Sequence, residues 1–214
     1  MFSLQNLSII LIEIRKELSG HSDRKERNML KNEKEVRVHL FVSRNKDNLG
    51  VENFKPRKVA FVTSADDEKL KRKFLNFVNE GVDGEYCRHY KSLNVRDEEK
   101  IREELIVRLV KNKVPVEKIN KTVASIASLP ECAAEKKWLF DFDGNDPKKV
   151  DEFLDDLKRF YTKEEFARIK IVKTVNNFSI VVPHGIDTRS LKEKWAGIFE
   201  NKRDAMVFVD GKIK

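Results

Sequence analysis

The stretch Lys137–Asp143, Lys-Trp-Leu-Phe-Asp-Phe-Asp, constrains this chain more than any other. Charge lies before it and Gly144-Asn145-Asp146-Pro147 comes after, so it reads as a short buried strand. Side chains alternate across a strand. Trp138, Phe140 and Phe142 therefore share one face, and Leu139, Asp141 and Asp143 the other. Three large apolar groups on one side must find a core. The two carboxylates stand about 7 Å apart by strand rise, a spacing at which two Asp residues can share a divalent cation on a rigid platform. The same pattern also suits hydrogen bonding, capping of the next helix, or a solvated strand end.

The residues after Asp143 give the strand its context. Asp146-Pro147 supplies an N-cap and a first-turn proline for a helix burying Val150, Phe153, Leu154, Leu157 and Phe160. Arg168 to Thr174 reads as a strand, Asn176-Asn177 as a turn, and Phe178 to Pro183 as the hairpin partner. Asp187 or Thr188 opens a helix carrying Leu191, Trp195, Ile198 and Phe199, and Ala205 to Asp210 is the last strand. The order β-α-β-β-α-β, over about 137–210, is the split βαβ or ferredoxin-like unit, in which the first strand is central and both helices cover one sheet face. The aromatic side of the first strand then lies under the helices. Asp141 and Asp143 point to the open face, shared with either Lys170, Val172 and Thr174 or the alternating set that includes Lys173.

The preceding chain predicts an α/β module. Leu4, Leu7, Ile10, Leu11, Ile14 and Leu18 fall at helical spacing over residues 3–19, although Ile10, Ile12 and Ile14 also alternate as in a strand, and residues 20–34 are polar. Strands are expected at Glu35–Asn45 and Arg57–Thr63, with a turn-rich connection between them. Ser64 with Asp67 resembles a capping box opening a helix with Leu70, Phe74, Phe77 and Val78 on one stripe. Tyr86–Asn94 looks extended. Asp97 caps a helix through Lys111 that buries Ile101, Leu105 and Leu109, and another helix over 116–128 uses Val116, Ile119, Val123 and Ile126 before Pro130. The expectation is an α+β protein with two domains: a basic α/β module at 1–130 and an RRM-like module at 131–214.

Charge separates the halves. Residues 131–214 carry 17 Lys+Arg and 16 Asp+Glu, which leaves 27 and 20 of the chain's 44 and 36 in residues 1–130. A basic excess in the first part favours a polyanionic partner, nucleic acid above all, through counterion release. Cys87 and Cys132 are too few and too unpatterned for a disulfide framework or a zinc site, which fits a reduced, cytoplasmic compartment. Leu7–Ile14 is too short to span a bilayer and lacks the flanks of a signal peptide, so no membrane association is expected.

There is no glycine-rich phosphate loop, no H-E-x-x-H, no C-x-x-C and no G-x-S-x-G, and the four histidines are scattered. Two arrangements remain. Carboxylates on an open sheet can hold Mg²⁺ or Mn²⁺ for phosphoryl or nucleotidyl transfer, given a third carboxylate from Asp204, Asp210 or Asp146. Asp210, at the end of Val207-Phe208-Val209, suits that role sterically. An RNA-recognition sheet that stacks bases on aromatics is disfavoured, because the aromatics of the 137–143 strand are needed inside.

Leu139-Phe140-Asp141-Phe142-Asp143 is similar to the hhDhD motif of the archaeo-eukaryotic primase superfamily. The chain also resembles small bacteriophage proteins with a K-W-x-x-D-x-D strand followed by a K-T-x-N-G-x-H hairpin, matched here by Lys173-Thr174-Val175-Asn176-Asn177-Phe178-Ser179. The resemblance implies a metal-dependent nucleotidyltransferase core, active or degenerate, beside an N-terminal α/β module. It implies Asp141 and Asp143 as metal ligands for Mg²⁺ or Mn²⁺, Asp210 as a third catalytic carboxylate through Val209-Asp210, and Lys173 facing phosphate. Ser179 stands where the family's small-x-His motif places its phosphate-contacting histidine. Arg88, Lys91 and Arg96 would line a nucleic-acid path, in the host cytoplasm if the chain is phage-encoded. The alternatives are a non-catalytic module that binds nucleic acid or a host protein, and a hydrolase acting on nucleotides or RNA on the same sheet.

Overall fold

In the computed structural model, residues 35–112, 114–144, 146–175 and 177–214 are described; the segments 3–19 and 20–34 lie outside them. Alternating chemistry builds the first sheet. In β1 (Arg37–Ser43), Arg37, His39, Phe41 and Ser43 face one way and Val38, Leu40 and Val42 the other. β1 pairs with β2 (Arg57–Thr63) on one side and β3 (Tyr86–Ser92) on the other, both antiparallel. The helix α1 (Asp67–Asn79) covers the His39/Phe41 face with Phe74, Phe77 and Val78, packed with Phe41, Cys87 and Phe61. Its N-cap is Asp66, which accepts from the Lys69 backbone N–H at 2.8 Å, two residues beyond the expected Ser64. On the other face, α2 (Glu98–Asn112) and α3 (Ile119–Ala127) bury Val38 and Val62 with Ile101, Leu105, Val123 and Ile126. Asp97 caps α2 as expected, through the N–H groups of Glu99 and Lys100.

The second sheet grows from β4 (Trp138–Phe142). Its strand order is β5 (Lys170–Lys173), β6 (Phe178–Val182), β4, β7 (Phe199–Lys202), all antiparallel, so β4 is central beside the third strand of its group. The helix α4 (Pro147–Leu157), capped by Asp146, and the short helices α5 (Lys163–Phe166) and α6 (Arg189–Lys194) complete this half. Phe140 and Phe142 are fully buried with Phe153, Leu157, Ile180, Leu191 and Trp195, and Trp138 packs on the same cluster. The aromatic side of the 137–143 strand therefore faces the helices, as the pattern requires.

The last strand of the β-α-β-β-α-β order is β7, not 205–210. The helix expected to run through Phe199 ends at Lys194 with Trp195 as its C-cap, and Gly197, at φ +72°, lies in the turn that leads into β7. The strand expected at 205–210 is β8 (Met206–Ile213), and it pairs antiparallel with β3 in the first sheet, with a bulge at His89/Tyr90. The chain thus leaves the first sheet, builds the second, and returns to close the first. Glu35–Lys214 form one compact unit.

The two halves meet through a polar junction. The Asn94 side chain accepts from the Lys137 N–H at 2.9 Å and donates to the Lys137 carbonyl at 3.2 Å, acting as a one-residue strand partner at the start of β4. Arg96 forms a bidentate pair with Asp204, Nη1 to Oδ2 at 2.7 Å and Nη2 to Oδ1 at 3.0 Å. Leu93, Leu139 and Val207 bury each other beside this junction. No helix of the described residues is long and apolar enough to cross a membrane.

Candidate functional site

Register fixes what shares a face with the two carboxylates. Asp141 lies opposite Ser179 on β6 and Glu200 on β7; Ser179 in turn lies opposite Val172 on β5. The acidic face therefore carries Asp141, Ser179, Glu200 and Lys202, with Lys170 and Val172 on the edge strand. Lys173 lies opposite Phe178, which lies opposite Phe142, so it belongs to the helix side of the sheet. The alternative with Lys170 and Val172 is the observed one, and the expectation that Lys173 faces phosphate beside Asp141 is corrected.

The face is also less open than the topology alone implies. Its Leu139 end is buried under Leu93 and Val207. The Asp141–Asp143 end reaches solvent, and both carboxylates there have partners. Lys202 Nζ donates to Asp141 Oδ2 at 2.7 Å and lies 3.3 Å from Glu200 Oε2. Asn177 Nδ2 donates to Asp143 Oδ1 at 2.7 Å. Partial burial works against the charge of Lys202, but the bonds to Asp141 and Glu200 outweigh it and hold the ammonium above the usual lysine range.

Asp210, expected as the third carboxylate, is elsewhere. It lies on β8 opposite His89 in the first sheet, where it accepts from the Gly211 N–H at 2.8 Å and stands 3.6 Å from Lys212 Nζ. Asp204 is taken by Arg96 and Asp146 by the cap of α4. Divalent Mg²⁺ or Mn²⁺ needs several converging oxygens. Among the described residues no three His, Cys, Asp or Glu side chains are grouped to hold a metal ion. The donor set around Asp141 does not fit the metal implied by the hhDhD resemblance, because an ammonium already balances the charge that a cation would meet.

The expected nucleic-acid path also separates. Arg96 is 5% exposed and committed to Asp204, so it lines no surface. Lys91 is exposed, on the α1-covered side of β3, opposite His39. Arg88 lies on the opposite side of β3 and is bound to Asp47, which Arg44 also holds at 2.8 Å. Ser179 is buried beside Asp141. The His184 ring bonds the Gly185 carbonyl at 2.9 Å and Glu165 at 3.2 Å, and the Tyr161 hydroxyl donates to the His184 carbonyl.

Sequence reasoning missed Lys202 and Glu200 because it missed β7. Their one available signal was the alternation Phe199/Asn201 against Glu200/Lys202, which four residues carry only weakly. It also missed that Tyr86, Arg88, Tyr90 and Phe208 come together, since that depends on β8 joining β3. No protein-family model and no curated protein matches the chain.

Proposed function

We propose that the protein is a non-catalytic nucleic-acid-binding module whose acidic strand, although similar to a primase motif, serves structure rather than nucleotidyl transfer. The observation that carries this reading is the Lys202–Asp141 ion pair on the acidic face. A carboxylate pair used for transfer must receive metal and nucleotide phosphate, and here an internal ammonium bridges Asp141 and Glu200 instead. The basic excess of residues 1–130 supplies the attraction for a polyanion.

The test is fluorescence anisotropy of labelled oligonucleotides at rising salt, run beside a primer-extension assay with Mn²⁺. The expected result is affinity that falls steeply and linearly on a log–log salt plot, the same affinity for Asp141→Asn/Asp143→Asn, and no Mn²⁺-dependent extension. Extension by the wild type that disappears in the double variant would overturn the reading in favour of a nucleotidyltransferase. Absence of oligonucleotide binding, with tight and salt-insensitive binding to a host protein, would overturn it in favour of a protein-binding module.

A further inference from the structure

The face of the first sheet opposite α1 is covered along only part of its length. α2 and α3 bury Val38, and they pack on Val62 and Met206. The next rows across the sheet run Ala60, Leu40, Tyr90, Phe208 and then Lys58, Val42, Arg88, Gly211. Every one of these residues is half-buried or exposed. Apolar and aromatic groups thus remain partly open to water in the middle of a sheet, where such positions are ordinarily closed.

The groups are arranged as a platform. Tyr86 lies over the backbone of β8: a Cβ on Gly211 would stand 2.0 Å from its hydroxyl, so only glycine permits the ring there. The Arg88 guanidinium sits 5.3 Å from the centre of the Tyr86 ring, and Arg88 Nη1 donates to the Tyr90 hydroxyl at 3.3 Å. Tyr90 meets Phe208 edge to face, with ring centres 5.8 Å apart. Arg88 Nε is buried with no partner among the described residues. Charge on this patch is positive. Lys58 is exposed, and the carboxylate that Arg88 binds, Asp47, is enclosed by Arg44 and Arg88 with its side chain 8% exposed.

Aromatic rings interleaved with cations on a half-open sheet are the chemistry of single-stranded nucleic acid. Bases stack on the rings, and Lys and Arg meet the backbone phosphates. A duplex keeps its bases stacked on one another and offers no free π-face. We infer that Tyr90 and Phe208, with Tyr86, Arg88 and Lys58 around them, form a stacking site for single-stranded nucleic acid. This rests on the nucleic-acid reading above and gives it a surface: the first sheet, not the acidic face of the second.

The experiment is anisotropy on the full chain with oligothymidylate, oligouridylate and a duplex of equal length. Oligothymidylate and oligouridylate tell DNA from RNA, and tight binding of either supports the site. The expected result is a single strand bound tighter than the duplex, and about tenfold or greater loss of single-strand affinity in Tyr90→Ala/Phe208→Ala with duplex affinity unchanged. Tyr90→Phe/Phe208→Tyr keeps both rings and controls for folding; it retains wild-type affinity. Equal binding of single strand and duplex, with the alanine pair binding both as the wild type does, would overturn the site while leaving the nucleic-acid reading intact. Failure of the wild type to bind any of the three would overturn both.

Discussion

At the scale of single residues, the most consequential pair is one that sequence reasoning passed over. His39 Nδ1 and His89 Nε2 lie 2.9 Å apart, each ring is 4% exposed, and Phe61, Phe41 and Phe74 pack around them. Burial pushes both imidazoles down to about 4 from 6.5. For His39 the neighbouring His89, Lys91, Arg37 and Lys73 push the same way; for His89 the attraction of Asp210 and Asp67 is too weak to reverse it. In the unfolded chain both rings protonate as pH falls through about 6.5, while in the folded protein they stay neutral to about 4. Between those values the unfolded state binds more protons, so stability is full above the upper value and drains as pH falls through the window. The expected loss between pH 7 and pH 5 is on the order of 2–4 kcal/mol, measured by urea unfolding. His39→Leu/His89→Leu removes both partners together and leaves no orphaned ring, so its stability is nearly flat over that window. A wild type equally stable at both pH values would refute the assignment. His39 stood in the strand pattern and His89 in the extended stretch. Their meeting depends on β1 pairing with β3, which no local pattern specifies.

At the scale of elements, local chemistry was legible and partner choice was not. β1, β2, β3, β4 and β6 fall where strands are expected, and Asp97 and Asp146 cap the helices they are expected to cap. These signals are local: alternation, a capping oxygen, a proline. Helical spacing makes Val116 a buried position, yet it is 68% exposed, because it sits in a 3₁₀ turn ahead of α3 where that spacing no longer sets its direction. β7 escaped because Trp195 and Phe199 are also four apart and look like one helical stripe. That helix ends at Lys194, and the chain then turns through Gly197 in the left-handed region, where the Ile198 N–H bonds the Trp195 carbonyl and Phe199 enters the sheet. Gly197→Ala places a side chain where L-residues are strained, with no neighbour within 4 Å to add a clash. Its expected cost is therefore conformational alone, about 1–2 kcal/mol, read as a lowered Tm with an unchanged far-UV spectrum. An unchanged Tm would mean that the turn after α6 tolerates another path.

At the scale of the whole molecule, the return of β8 to the first sheet decides both the site and the stability. It carries Asp210 away from Asp141 and brings Phe208 to Tyr90. The motif Val209-Asp210 could not reveal this, since edge strands of two sheets compete for the same short alternating segment and the winner is set by tertiary packing. The return also couples the halves, because the link from β7 to β8 is held by Asp204 in the grip of Arg96, whose side chain is 3% exposed. Removing one member of a buried, hydrogen-bonded pair strands the other, so Arg96→Ala is expected to cost about 3–5 kcal/mol. The manner of the loss is as informative as its size. Both tryptophans, Trp138 and Trp195, belong to the second-sheet core, so their fluorescence reports that half, whereas far-UV circular dichroism reports both. If the junction joins the halves into one cooperative unit, the two probes shift together in Arg96→Ala to the same lower denaturant midpoint. Tryptophan fluorescence that kept its wild-type midpoint while the dichroism moved would mean that the second sheet folds without the first, and that the Arg96–Asp204 pair stabilises only the first.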